Sequence, residues 1–392
     1  MTQFADTRRY DIDWLRTLAF ILLIFYHIGQ FYVTDWGWHV KSAYQSDFLK
    51  NIMLMVNQWR MPLIFLISGS ALSLVEPKIS NSYLLKIRFN RVFVPLVIGM
   101  YLIVPPQLYF ELIQGSGFTG SYWEFYSFYI DTDTKMFPEN QHAPLGLLTW
   151  NHLWYLAYLW FYTLAYLLLK PLLTRVNWNT FTSSIPGWAI LVSVSGLLIM
   201  YNMVLEPIFP KTHALVDDWY NHAYSFTFFM LGYVMVKSPD LWNKIISTRR
   251  AWLFLSIISY SLIIYRFNRL TGLDMDYSQS SMIVKIALQS IWSFNKLFWL
   301  LMIIGYSGKY LNKRSPILSY LNEAILPWYI LHQSIIIIVA MILASYSLGQ
   351  VVEPLLVIIL TFTLCAVCYD LIRRTNLTRF MFGMKLRKKR KS

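Results

Sequence analysis

"DIDWLRTLAFILLIFYHIGQFY", residues 11–32, is apolar enough to lie in lipid and still carries Asp13, Arg16 and His27. Eleven residues separate Arg16 from His27. At about 100° per residue they return to nearly the same helix face, three turns and roughly 16 Å apart. Asp13 lies one turn before Arg16 on that side. The three form one polar stripe, which has to face protein or water because an ionisable group in hydrocarbon is costly.

Outward from this stretch the whole chain has the same character. Its 392 residues are 56% hydrophobic and 18% aromatic with only 14% charged, which excludes an ordinary soluble domain. The reading is an all-α, polytopic membrane helix bundle of about ten spans, each near the length a helix needs to cross the hydrocarbon. They are placed at 14–33, 52–75, 92–113, 153–173, 187–206, 223–237, 251–267, 282–304, 321–346 and 352–372. A net charge of +14 invites a nucleic-acid reading, but most of the 34 basic residues follow topology. They fall on alternate connections, whereas Asp35, Asp47, Glu124, Asp131, Asp133, Glu139, Asp217, Asp218, Asp274 and Asp276 fall on the others. The positive-inside rule then predicts both termini in the cytoplasm and an even number of spans. The partner of this surface is the lipid bilayer, and no nucleic acid is expected.

The first apolar run has acids in its charged flank and lacks a small-x-small cleavage site, so it is expected to remain as a helix rather than be removed. Domains are expected at 1–372, a transmembrane domain, and 373–392, a basic cytoplasmic tail touching anionic lipid. The longest interruption is the outer connection at about 114–152. It holds Trp123, Phe125, Tyr126, Phe128, Tyr129 and Trp150 among carboxylates, a composition that suits a sugar and equally an interfacial aromatic belt. Cys365 and Cys368 lack a second pair to complete a metal tetrahedron, so no metal site is expected and they are read as buried small residues.

Each polar residue inside a span has a bland alternative. Arg16 can snorkel to phosphates, and Asp13 can cap the helix or pair with Arg16. His27 is harder to explain structurally, since it shares a face with charge. In "NQWRMPLIFLISGSAL", residues 57–72, Pro62 bends the helix after Arg60. Ser68-Gly69-Ser70 offers either close packing or hydroxyls for a substrate. In "NEAILPWYILHQS", residues 322–334, His332 lies about as deep as His27, and two histidines at one depth can share a chamber. "KIRFNRVFVP", residues 86–95, supplies cations at the inner surface.

These segments, in this order, resemble the acyltransferase 3 family of integral membrane proteins. The resemblance rests on Arg16 and His27 behind Asp13, "RMPLIFLISG", "KIRFNRVFVP", "HLWYL" at 152–156 and "YILHQ" at 329–333. Within the family the chain looks most similar to the glucan biosynthesis protein C group, which succinylates periplasmic glucans; "WHVKSAY" at 38–44 resembles that group's outer loop. The resemblance implies a membrane O-acyltransferase of the bacterial inner membrane that moves an acyl group, succinyl or acetyl, from cytoplasmic acyl-CoA to a hydroxyl of an extracytoplasmic glycan. Acyl-CoA is then a co-substrate, and no cofactor is permanently bound. The implied catalytic residues are His27, Arg16 and His332, and Arg16, Arg88 and Arg91 bind the donor. Asp13, His39, Arg60, Ser68, His152 and Trp154 are the expected acceptor-side residues. The competing class is a transporter or flippase for a glycan or acylated precursor, because intramembrane charge in a helix bundle describes those as well. No inverted repeat supports it, and transfer by purified protein without a gradient separates the two.

Overall fold

In lipid every backbone N–H and C=O has to be satisfied within the protein, and a run of Leu, Ile, Phe and Val does so most simply as a helix. The computed structural model describes residues 8–141, 145–269 and 280–387, and these are predominantly helical. In order these are α1 (Tyr10–Tyr32), α2 (Asp47–Val75), α3 (Asn81–Arg88), α4 (Val94–Leu102), α5 (Pro105–Ser116), α6 (Tyr122–Ile130), α7 (Trp154–Leu173) and α8 (Trp178–Ser183). Then follow α9 (Gly187–Met200), α10 (Trp219–Lys237), α11 (Pro239–Ser247), α12 (Arg249–Arg269), α13 (Met282–Tyr310), α14 (Pro316–Ala344), α15 (Gly349–Ile372) and α16 (Asn376–Met381). Among the described residues, 9 helical segments are long and apolar enough to cross a membrane. The all-α, multi-pass architecture read from the sequence is the one observed.

Two spans differ from their expected form. The sixth, expected at 223–237, is α10, which starts at Trp219 and is not among the 9. Its first turns bury Tyr220, Asn221, His222, Tyr224 and Ser225, and these polar groups dilute its hydropathy. The third, expected as one span at 92–113, is a helical run over Asn81–Ser116 with a π-helical turn at Phe89–Phe93 and a break before Pro105. Pro105 and Pro106 lack the N–H that would continue the ladder, so α4 ends and α5 starts afresh. The expected outer acids Asp274 and Asp276, and the tail after Arg387, lie outside the described residues.

The chain divides into two compact units. One takes the chain up to Ala19, Leu54–Ile79 and Ala165–Leu318. In it α2 and α10 touch backbone to backbone: a Cβ on Gly69 would fall 1.7 Å from the Phe229 carbonyl oxygen, and one on Gly232 would fall 1.8 Å from that of Leu66. Glycine is what permits this approach, as it does at other close helix crossings in membranes. Ser70 Oγ donates to Gly232 O across the contact at 3.1 Å. At one end of this unit Glu76, nearly buried, takes Lys237 at 2.8 Å and Lys170 at 3.6 Å.

The second unit takes Phe20–Met53, Ser80–Leu164 and the chain from Ser319 onward. Here the connection 33–46 is pinned at both ends. Lys41 Nζ donates to the carbonyls of Gln30 (2.8 Å), Val33 and Trp36 (3.1 Å), placing a cation at the C-terminus of α1, where the helix dipole favours it. Gln114 of α5 accepts from Lys41 N at 2.7 Å and donates to Lys41 O at 3.0 Å. In the connection 114–152, Phe125 and Tyr129 are fully buried and Tyr129 Oη donates to Met100 O at 2.7 Å. Two of the six aromatic residues expected at the surface are therefore packing, while Trp123 remains exposed.

Candidate functional site

The second unit collects polar side chains that the sequence scatters over five segments. On α1, half-buried His27 points Nδ1 at Nε2 of His332 on α14, 2.7 Å away, with the two rings nearly parallel at an interplanar angle of 3°. His332 is fully buried, and its Nδ1 lies 2.6 Å from the carbonyl oxygen of Tyr329. A carbonyl only accepts, so His332 Nδ1 carries the hydrogen and, in the neutral ring, Nε2 accepts. His27 Nδ1 must then be the donor between the rings. The assignment, made from partners as such assignments are, leaves Nε2 of His27 as its acceptor nitrogen.

Behind His332 a third ring, His152, stands edge-on at 5.2 Å between centroids. His152 Nε2 donates to Ile330 O at 3.0 Å, and its Nδ1 accepts from Gln107 Nε2 at 3.1 Å. Gln107, fully buried in the first turn of α5, uses its whole amide: Nε2 also donates to Ser334 Oγ (2.7 Å), and Oε1 accepts from Asn151 (2.8 Å) and Gln333 (2.9 Å). The break before Pro105 matters here, because it turns the chain so that Gln107 meets α14 and frees the Ile103 carbonyl for Ser334 Oγ.

The network continues toward the connection 33–46. Asn151 Nδ2 donates to His39 Nε2 at 3.0 Å, and His39 Nδ1 donates to Glu111 Oε2. Glu111 Oε1 takes Asn140 Nδ2 at 3.1 Å. Asn151 sits at φ 44°, a left-handed backbone that Asn tolerates better than most residues. A continuous chain of hydrogen bonds thus runs from Glu111 through His39, Asn151 and Gln107 to His152. Among the described residues, no group of three His, Cys, Asp or Glu side chains has the arrangement of a metal site.

Of the residues singled out in the sequence, His27, His332, His152 and His39 are brought together in this unit. Trp154, half-buried at the start of α7, packs edge-on against Tyr158 at 5.4 Å, within the same unit. Arg88 ends α3 and Arg91 lies in the π-helical turn, where its Nε donates to Gly383 O at 3.1 Å. The segment around Gly383 belongs to a strongly charged recess lined by Glu323, Asp370, Arg373, Arg374, Arg379 and Arg387. Arg16 shares α1 with His27 but falls in the first unit, where its Nη2 donates to Asp13 at 3.3 Å and Asp13 also pairs with Arg8 at 2.8 Å. Ser68, in that unit too, turns its hydroxyl onto Ile64 O of its own helix at 2.8 Å. Arg60 is buried there, close enough to act electrostatically on Lys211 in the connection before α10. Sequence reasoning missed Gln107, Glu111, Asn151 and the Tyr329 carbonyl; the prolines at 105 and 106 were the available signal for the first two.

The fold makes this a multi-pass membrane protein with a hydrogen-bonded histidine pair set on two long apolar helices. The chain belongs to the acyltransferase 3 family: the family model, described as an acyltransferase domain, matches residues 9–372, and the protein is accordingly an acyltransferase. It is similar to the glucans biosynthesis protein C of Salmonella typhimurium, 23% identical over 412 residues that cover 100% of this chain and 99% of the relative. The protein of the same name from Salmonella paratyphi B is 23% identical over 407 residues, covering 98% of this chain and 97% of the relative. No solved structure matches the chain.

Proposed function

We propose that this acyltransferase forms esters on an extracytoplasmic glycan, a periplasmic glucan being the favoured acceptor, and draws the acyl group, succinyl or acetyl, from acyl-CoA on the cytoplasmic side of the bacterial inner membrane. The observation that carries the reading is the tautomer chain from Tyr329 O through His332 to His27, which presents Nε2 of His27 as a base. A sugar hydroxyl is a poor nucleophile until its proton is taken. Nε2 of His27 takes that proton as the oxygen attacks the thioester carbonyl. The C–S bond then breaks, and the imidazolium returns the proton to the departing thiolate, so that hydroxyl and thioester become ester and thiol. His332 is a positioning residue: it fixes the ring of His27 and accepts the hydrogen bond that strengthens when His27 becomes cationic.

His39 and Asn151, tied to Glu111, suit the acceptor side, because an aqueous sugar needs paired donors and acceptors at fixed positions. Arg88 and Arg91 suit the phosphates of the donor, since guanidinium groups hold them in bidentate fashion. The charged recess around Arg373 and Arg374 extends that basic surface. This arrangement goes with cytoplasmic termini and with the basic tail on the donor side. The relatives' name, glucans biosynthesis protein, supports a glucan acceptor.

Mass spectrometry of envelope glycans from cells with and without the gene tests the reading. An acyl mass increment on a glucan that depends on the gene is expected, and its size identifies the acyl group. Identical glycan masses in both strains, with the protein well expressed, would overturn the glycan acceptor.

A further inference from the structure

The chain after α15 reads in the sequence as a basic tail, yet up to Arg387 it is a folded frame. Arg379 of α16 is buried at its centre. Its Nε donates to Lys385 O at 2.6 Å, its Nη1 to Arg373 O at 3.3 Å and its Nη2 to Glu323 Oε1 on α14 at 2.6 Å. Two more bonds close the segment on itself: Arg387 N donates to Asn376 Oδ1 at 2.8 Å, and Asn376 Nδ2 donates to Arg387 O at 3.4 Å. Gly383, left-handed at φ 66°, seats the segment against the π-helical turn, where an added Cβ would fall 2.8 Å from Arg91 O. A tail that meets lipid only through its charge needs no such frame.

The frame borders a recess of about 470 Å³ at the end of α15, lined by Glu323, Asp370, Arg373, Arg374, Arg379 and Arg387. That volume falls within the roughly 300–1,000 Å³ of small-molecule sites. Both carboxylates are paired with arginine, Glu323 with Arg379 at 2.6 Å and Asp370 with Arg373 at 2.9 Å. Arg387 Nη1 donates to Arg374 O at 3.3 Å, which sets these two arginines side by side. Among the described residues Arg387 makes no other side-chain bond, and the Arg374 guanidinium makes no hydrogen bond or ion pair.

We propose that this recess binds a phosphoryl group, held by Arg374 and Arg387. A guanidinium plane meets two phosphate oxygens at once, and two such planes match a group whose charge is spread over several oxygens. The buried Arg379 keeps the backbone of the site in place, so little has to order on binding. A phosphoryl group at the membrane surface has two sources, the coenzyme of the acyl donor and an anionic phospholipid headgroup. Only the first rests on the acyl-CoA reading above.

The test is thermal unfolding of the full-length protein in detergent, titrated with inorganic phosphate against chloride at matched ionic strength. Arg374→Gln and Arg387→Gln are compared with the wild type and with Arg250→Gln, an exposed arginine outside the recess. Arg374 and Arg387 are exposed as well, so neither substitution removes packing. Bound phosphate raises Tm by mass action, and the same rise is expected to need about tenfold more phosphate in each recess variant, while Arg250→Gln follows the wild type. The general effect of phosphate on apolar burial acts on all four proteins alike. Titrations with coenzyme A and with phosphatidylglycerol in mixed micelles then separate the sources: the probe whose effect is weakened in the recess variants is the ligand. A phosphate response without a coenzyme A response keeps the site and removes the donor from it. Phosphate titrations that coincide in wild type and both recess variants, or an equal loss in Arg250→Gln, would overturn the site.

Discussion

The two polar clusters of this molecule solve the problem of polarity in lipid in opposite ways. The histidine network is a web of hydrogen bonds among imidazoles, amides and hydroxyls that ends at the Glu111 carboxylate, and Gln107 alone joins His152, Ser334, Asn151 and Gln333. The cluster around Tyr224 is instead built from charged groups, with Lys211 and Lys296 over one ring and Glu206 acting on both. A web of mutual hydrogen bonds is stable before any ligand arrives and can hold one nitrogen in a fixed protonation state. That arrangement suits proton transfer.

The largest effect that separates the two is expected from His27→Ala. Removing a general base typically costs 10²–10⁴-fold, so acyl transfer is expected to fall by about 10³-fold at normal membrane levels of protein, as measured by product formation. Removal of the positioning ring comes next. His332→Ala is expected to lower kcat by about 10²-fold with KM little changed, whereas His332→Gln, whose amide oxygen can still accept from His27 Nδ1, should recover much of that loss. Equal kcat values for the two variants would remove the relay from the account.

Gln107→Leu probes stability on the same side of the comparison. It takes away the partner that Gln107 gives to Gln333 Nε2 and His152 Nδ1, and a buried polar group left unsatisfied costs about 1–3 kcal/mol, so a clear drop in Tm is expected. The smallest effect belongs to the charged cluster and depends on pH. Lys211 is held down to about 8 from its ordinary 10.5, by crowding first and Arg60 second, with Glu206 and Asp218 opposing and Lys296 and His213 also facing it. Between those values the unfolded chain binds more protons than the folded one, so folding stability rises with pH across that window. Lys211→Met is expected to flatten the rise seen in Tm measured from about pH 8 upward. His213, pushed down to about 3 by burial and then by Lys211 and Arg60, gives the same sign at lower pH, with stability rising toward its ordinary 6.5.

Much of this was legible in the sequence, for definite reasons. Apolar runs of span length fix helices almost irrespective of packing, so the multi-pass bundle could be read directly. The equal depth of His27 and His332 in their spans pointed to a shared chamber, and the structure places them in hydrogen-bond contact. The network behind them was not legible. Gln107 and Glu111 lie in what reads as one uninterrupted span at 92–113, and only the break before Pro105 aims them. The Tyr329 carbonyl has no side-chain signature at all. Ser68 and Gly69 are better understood through the packing of α2 on α10.

The account rests most heavily on His27 as the base that activates the acceptor hydroxyl. Its most direct test is the rate of acyl transfer from acyl-CoA to a glucan oligosaccharide by purified wild-type and His27→Ala protein, with the product identified by mass. The account predicts acylated oligosaccharide from the wild type and a rate about 10³-fold lower from His27→Ala; transfer at the wild-type rate by a folded His27→Ala protein would contradict it.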